Sequence, residues 1–171
     1  DFSEGLLRRI EYFKQHYARF LPDERTTFLN SYIGNYYTDL GDFKKAIPYF
    51  RTITNRKPID FYSCSNIAYA YVDMAFCYSS IGDQKSALRQ NVKALEYFNK
   101  TDDLSGRGNV YNNLSVVCLF TKDYGQAEVY LDKAINDFKK SKDTTNVFTG
   151  LYNKILLYEN MGHKDRFQLI D

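Results

Sequence analysis

The stretch of residues 111–138 constrains the fold most, because it predicts two helices joined by a very short turn. Apolar residues with the spacing of one helical face open the stretch, at Tyr111, Leu114, Val117 and Cys118. The polar residues 121–123 interrupt this face, and a second apolar stripe follows at Tyr124, Ala127, Tyr130, Leu131, Ala134, Ile135 and Phe138. Because the turn is so short, the two helices must pack antiparallel.

The same hairpin pattern returns along the chain in steps of about forty residues. Taking Ala127 as an anchor position, its equivalents are Ala46, Ala87 and Phe167. Five residues before each anchor comes a turn position, occupied by Gly41, Gly82, Lys122 and Gly162. Twelve residues before the first three anchors come the small residues Gly34, Ala75 and Ser115. A fixed period in this range is typical of a solenoid of stacked helix pairs.

We therefore predict an all-α fold, a right-handed superhelical solenoid of antiparallel helix pairs, with residues 1–171 forming one array. Residues 3–20 are assigned to the second helix of a partial repeat. Three repeats follow, at 24–57, 60–100 and 103–140, and a truncated repeat occupies 145–171. Because the chain begins without Met and both ends fall within a repeat, we expect a fragment of a longer protein.

Composition and charge exclude several classes of protein. A chain that is 44% hydrophobic and 17% aromatic can bury a core and is not a disordered segment. Its 23 basic residues alternate with 21 acidic ones, which argues against direct nucleic-acid binding. No apolar run approaches the roughly 18 residues of a membrane span, so no membrane insertion is expected.

The cysteines and histidines give no sign of catalysis or of a metal. Cys64, Cys77 and Cys118 are odd in number, so buried free thiols are expected. Free thiols favour a cytoplasmic location, although a processed or excised N-terminus leaves a periplasmic or other extracytoplasmic one open. His16 and His163 lie at opposite ends of the chain, and no zinc spacing, phosphate loop or nucleophile motif is present. We therefore predict no enzyme, no catalytic residues, no cofactor and no metal.

The anchor alanine, the turn glycine and the small residue of each unit resemble the tetratricopeptide repeat (TPR) family. Repeats of that family run about 34 residues, so the longer period implies longer helices. This form is similar to kinesin light chain and to bacterial regulators that sense signalling peptides. The resemblance implies that stacked units twist into a superhelix whose concave surface is lined by the first helix of each pair.

The resemblance also implies which residues face the concave surface. The position fourteen before each anchor holds Tyr32, Asp73, Asn113 and Asn153. With Asn35, Asn109 and Asn112 they form a predicted ladder of side-chain amides, which offers hydrogen-bond donors and acceptors to an extended peptide. Predicted apolar pockets lie beside the ladder, at Phe28, Tyr69, Phe76, Val116 and Tyr152. The sequence Tyr-Asn-Asn-Leu of residues 111–114 resembles the Asn-Asn-Leu of kinesin light chain repeats.

Several alternatives stand beside this interpretation. Asparagine is also tolerated on any solvated helix face, which would leave the ladder without a role. The basic residues with which chaperone-docking relatives hold a carboxylate are missing, because Ser31, Asp73, Asn109 and Asn113 occupy those positions. Lys154 falls where the repeat pattern calls for a buried apolar residue, which makes the register of the last repeat ambiguous.

The predicted function is a non-catalytic scaffold that binds a protein or peptide partner on its concave face. A first alternative is a sensory or regulatory segment of a bacterial signalling protein or transcription regulator. A second is a structural spacer or dimerisation module that uses exposed tyrosines without any groove ligand.

Overall fold

The computed structural model describes residues 2–162, which form eight α-helices, one short 3₁₀ helix and no strand. The helices are α1 (Phe2–Tyr17), α2 (Asp23–Asp39), α3 (Phe43–Thr54), α4 (Phe61–Ser80), α5 (Gln84–Phe98), α6 (Leu104–Phe120), α7 (Tyr124–Lys140) and α8 (Thr144–Asn160). The 3₁₀ helix, Ala18–Phe20, follows α1 directly. The prediction of an all-α chain is confirmed, while His163 and Phe167 lie outside the described residues.

The hairpin turns share one backbone geometry. Gly41, Gly82, Lys122 and Gly162 have φ angles of 75°, 84°, 59° and 72°. In the first of these turns the Gly41 N–H donates to the Thr38 carbonyl at 2.9 Å, and the Asp42 N–H donates to the Tyr37 carbonyl at 2.8 Å. This pair of bonds is a Schellman motif, which ends a helix with a residue in the left-handed region.

Aspartates begin most of the helices that follow these turns and loops. The side chain of Asp123 accepts a hydrogen bond from the Gln126 N–H at 3.2 Å, as expected for the N-cap of α7. Asp103 and Asp143 cap α6 and α8 in the same way. Asp60 and Ser63 form a complete capping box at the start of α4. Hydrogen bonds between nearby residues therefore fix where these helices begin.

Small residues let the paired helices approach closely. A Cβ atom placed on Gly34 of α2 would come within 2.6 Å of the Phe50 ring of α3, and the Phe50 side chain is fully buried. A Cβ atom placed on Gly108 of α6 would likewise come within 2.6 Å of the Phe138 ring of α7. The anchor residues of the three complete repeats are buried, at Ala46, Ala87 and Ala127.

The chain divides into two compact units, residues 1–90 and residues 91–171, and the division falls within α5. In the first unit α3 packs against both α2 and α4. Glu11 of α1 accepts hydrogen bonds from the hydroxyls of Tyr37 and Tyr49, at 3.0 and 2.8 Å, and so attaches α1 to α2 and α3. In the second unit α7 packs against both α6 and α8. Each unit therefore contains two neighbouring first helices, α2 with α4 and α6 with α8.

Candidate peptide-binding faces

The first unit carries six of the predicted binding residues on α2 and α4, with identical spacing on the two helices. They are Phe28, Tyr32 and Asn35 of α2, and Tyr69, Asp73 and Phe76 of α4. We call this set the α2–α4 face. Within each helix the three residues are separated by four and then three positions, so they lie on one side of that helix.

Most of the aromatic side chains of the α2–α4 face are open to solvent. Phe28 is 68% exposed, Phe76 is 54% exposed, and Tyr69 and Tyr32 are 42% and 40% exposed. The Phe76 ring is nevertheless held in place, because it meets the Phe43 ring of α3 edge-on with centroids 5.9 Å apart. Such exposure of large apolar groups on adjacent helices marks a surface that a partner could cover.

The contact between Thr38 of α2 and Cys77 of α4 gives the register of the two helices. The Thr38 hydroxyl and the Cys77 sulfur are 3.6 Å apart. About one turn earlier on each helix come Asn35 and Asp73, which therefore lie at the same height. Burial raises the pKa of the Cys77 thiol, and the thiol therefore stays neutral at ordinary pH.

Asp73 is the unusual member of the α2–α4 face. It is the single charged residue among the twenty of α4, and its side chain is half-buried. Among residues 2–162 it has no hydrogen-bond or ion-pair partner. Burial raises the pKa of this carboxyl from 3.8 to about 7. A carboxylate in this setting is destabilising for the folded chain unless a cation reaches it.

The second unit carries the other six predicted residues on α6 and α8. Asn109, Asn112, Asn113 and Val116 lie half-buried along one side of α6, and Tyr152 and Asn153 lie on α8. We call this set the α6–α8 face. Tyr152 is 60% exposed. In the described part of the chain, the side-chain amides of Asn109 and Asn113 make no hydrogen bond.

One pair of amides joins the two helices of the α6–α8 face. The side-chain N–H of Asn153 donates to the side-chain carbonyl of Asn112 at 2.8 Å. Asn153 and Asn113 hold equivalent positions in the repeat, and the partner of Asn153 is the residue just before Asn113. This contact leaves the amide N–H groups of Asn112 and the carbonyl oxygen of Asn153 without partners in residues 2–162.

Lys154, which stands where the repeat pattern calls for an apolar residue, forms an ion pair with the neighbouring helix. Its ammonium lies 2.5 Å from the Asp132 carboxylate of α7, and the Lys154 side chain is only 17% exposed. Burial alone would lower the pKa of Lys154, but the hydrogen bond and charge of Asp132, together with the Tyr158 hydroxyl, outweigh burial and raise the pKa. One turn along, the Tyr158 hydroxyl donates to Glu128 at 2.7 Å. These contacts fix α8 against α7 and so position Asn153.

A second ion pair fixes α6 against α7. Arg107 donates from two guanidinium nitrogens to the two carboxylate oxygens of Asp137, at 2.7 and 3.0 Å. Asp137 is almost fully buried, and its partner holds the pKa of Arg107 above its ordinary value. Nearby, the Ser105 hydroxyl donates to the Asp143 carboxylate at the start of α8. Both helices of the α6–α8 face are therefore positioned by polar contacts that residue spacing does not reveal.

The first unit also contains a cavity that no sequence pattern indicates. A cavity of about 380 Å³ lies at the N-terminal ends of α2 and α4, beside the loop that follows α3. Its lining includes Glu24, Thr27, Ile53, Arg56, Ile59 and Tyr62. Pro58 marks the loop in the sequence, but the enclosed volume depends on how three separate segments pack.

The described residues contain no cluster of three His, Cys, Asp or Glu side chains that could hold a metal ion. Within the same residues no helix combines the length and the apolar character needed to span a bilayer. The thiols of Cys64, Cys77 and Cys118 are all free, the first two buried and the third half-buried.

Comparison with known proteins identifies the repeat. Residues 33–60 and 108–136 each match the model of the tetratricopeptide repeat family. The chain therefore carries tetratricopeptide repeats at these two places. The first match includes the α2–α3 hairpin turn, and the second includes the α6–α7 turn. The repeat length of about forty residues stays a prediction.

A solved structure supports the same fold. The crystal structure of BtubC (BKLC) from P. vanneervenii matches 96% of this chain with a TM-score of 0.76 and 19% sequence identity. The match covers 66% of BtubC, so the chain spans slightly less than two thirds of that protein's length. A search of curated proteins gives no significant match. The prediction of an all-α solenoid of helix pairs is confirmed.

Proposed function

We propose that this TPR chain is a non-catalytic scaffold that binds an extended peptide segment of a partner protein on its first helices. TPR proteins are in general interaction scaffolds, and the α2–α4 and α6–α8 faces combine the two kinds of group that such binding needs. Exposed aromatic rings can cover apolar side chains of a ligand. Unpaired asparagine amides can bond to its backbone.

The observation that carries this proposal is that side-chain amides of the α6–α8 face lack hydrogen-bond partners in residues 2–162. A peptide backbone presents one N–H donor and one carbonyl acceptor per residue. Asn109 and Asn113 have no hydrogen-bond partner in residues 2–162, and each amide supplies both a donor and an acceptor. The contact between Asn112 and Asn153 orients a further donor and acceptor next to them. Such a row suits backbone recognition better than recognition of a single side chain.

A random peptide library displayed on phage tests the proposal with the purified chain. We expect the chain to enrich a peptide motif, and the double variant Asn109→Ala, Asn113→Ala to bind the enriched peptides roughly 10-fold or more weakly, as expected for lost backbone hydrogen bonds. The control is Asn136→Ala, which removes an exposed amide from α7, outside both faces. It should bind with unchanged affinity.

The proposal is wrong if the library yields no enriched peptide, or if the double variant and the α7 control bind equally well. Thermal unfolding separates lost binding from lost folding, since both substitutions are expected to change stability by less than about 0.5 kcal/mol each.

A dimerisation module is the second candidate, and the exposed aromatics outside the predicted set favour it. Phe148 is 72% exposed and Phe120 is 71% exposed, and neither belongs to the α2–α4 or α6–α8 face. Large exposed apolar groups are typical of protein contacts. A molar mass by light scattering that rises with concentration, and that falls to the monomer value in Phe148→Ser, would support this role over peptide binding.

A further inference from the structure

Asp73 stands alone in a part of the first unit that is otherwise uncharged. The other nineteen residues of α4 carry no charge, and neither does any residue from 26 to 38 of the neighbouring α2. An unpaired charge that is half-buried in the middle of a helix is destabilising. Nothing in the packing of the described residues requires a carboxylate here.

The basic residues of α3, which packs against α4, do not neutralise Asp73. Lys45 lies 2.6 Å from Asp42 and above the Tyr37 ring. Arg51 donates to the Tyr78 hydroxyl at 3.0 Å. Lys44, the remaining basic residue of α3, is exposed and makes no ion pair with Asp73 in the described part of the chain. Within residues 2–162 the Asp73 carboxylate is thus left without a cation.

Two aromatic rings stand on either side of this carboxylate along α4. Tyr69 comes one turn before Asp73 and Phe76 comes about one turn after it, and both are partly exposed on the same side of the helix. Phe43 supports the Phe76 ring from α3, edge to face at an interplanar angle of 78°. A carboxylate flanked by aromatic rings attracts cations, because the ring faces and the carboxylate are both negative.

We propose that Asp73, Tyr69 and Phe76 form a niche for a lysine or arginine side chain of the bound peptide. This inference rests on the proposed function, since it assigns one residue of the ligand. The basic head group forms a charge-assisted hydrogen bond with Asp73, and its methylene stem lies against the two rings. Binding then removes the penalty of the unpaired carboxylate, which makes the basic residue a specificity determinant.

The experiment compares peptides selected from a phage-displayed random library by the wild-type chain and by Asp73→Asn. The wild type should enrich peptides with lysine or arginine at one fixed position. For a selected peptide, Asp73→Asn should weaken binding roughly 10- to 100-fold, the range for a hydrogen bond between charged groups. Replacing the basic residue of the peptide by glutamine should weaken wild-type binding equally, and should have no further effect on Asp73→Asn.

Asp39→Asn is the matched control, because it removes the same charge from the exposed end of α2 outside the niche. It should bind every selected peptide as the wild type does. Circular dichroism verifies that both variants are folded. Selected peptides without a fixed basic residue, or with one that Asp73→Asn still prefers, would overturn this inference and leave the proposed function standing. A wild-type chain that enriches no peptide overturns both.

Discussion

Asn153 of α8 and Asn112 of α6 share a side-chain hydrogen bond of 2.8 Å, although they are 41 residues apart in the chain. The bond joins two first helices of the second unit directly. Asn113, which shares with Asn153 the position fourteen before the anchor, makes no such contact within residues 2–162. The relationship therefore distinguishes two adjacent asparagines that look equivalent in the sequence.

Replacing Asn153 by alanine leaves the half-buried carbonyl of Asn112 without its donor. We expect the free energy of unfolding to fall by about 1 kcal/mol, the usual effect of losing one such hydrogen bond. Asn113→Ala is the control and should change it by less than about 0.5 kcal/mol. Urea titration followed by circular dichroism measures both, and equal losses in the two variants would contradict the assigned contact.

Gly34→Ala tests the close approach of α2 to α3. The new Cβ atom would lie 2.6 Å from the fully buried ring of Phe50, which has no room to move away. We expect a loss of about 1–3 kcal/mol in the free energy of unfolding, typical of overpacking. Gly125→Ala is the matched control in α7, where nothing lies within 4 Å of the added atom. Its free energy of unfolding should rise by up to about 1 kcal/mol, because alanine has a higher helix propensity than glycine.

Lys122 occupies the left-handed position five residues before the anchor, which is glycine in the other three repeats, with a φ angle of 59°. The left-handed conformation costs an L-residue about 1–2 kcal/mol. Glycine avoids this cost, but its greater freedom in the unfolded chain offsets part of the gain. Lys122→Gly should therefore raise the melting temperature, with a gain of roughly 0.5–1 kcal/mol. Lys140→Gly, in the last turn of α7, should lower it instead. A lower melting temperature for Lys122→Gly would show that the turn is not strained.

The half-buried Asp73 makes stability depend on pH. Its pKa is raised to about 7 in the folded chain, against 3.8 for an unperturbed carboxyl. The folded state therefore holds its proton over a range in which the unfolded state has lost it, and stability falls as pH rises through this range. The neighbouring Cys77 thiol stays protonated because burial raises its pKa as well.

Asp73→Asn removes this dependence. The free energy of unfolding of the variant should equal that of the wild type near about pH 4 and exceed it by on the order of 2 kcal/mol at about pH 8. Chemical unfolding at several pH values measures it. Asp39→Asn, which removes the same charge from an exposed position, is the control for the substitution itself. A pH-independent effect of Asp73→Asn would mean that the carboxyl titrates normally.

The fold could be predicted because its signals are local. The anchors Ala46, Ala87 and Ala127, and the turn residues five positions earlier, report helix packing and helix ends within single hairpins. Lys122 shows the same turn geometry as the glycines even though its residue type departs from the pattern. Lys154 also departs from the pattern, and its partner Asp132 could not be identified from spacing because the contact joins two different helices.

The surroundings of the predicted binding residues are harder to predict, because they depend on rotation between helices that are far apart in sequence. The single charge of α4 is visible in the sequence, but the partial burial and isolation of Asp73 are not. Residue spacing gives Asn153 and Asn113 equivalent repeat positions, and only the structure shows that Asn153 bonds to Asn112. Which of the twelve predicted residues contact a ligand stays a prediction.

The central claim, that the first helices bind a peptide, is tested most directly by NMR of the labelled chain. Backbone amide shifts are recorded while a peptide selected from the phage library is added. We predict that the largest shift changes map to α2, α4, α6 or α8, around the residues of the α2–α4 and α6–α8 faces. Changes confined to α3, α5 and α7, or no change at saturating peptide, would contradict the account.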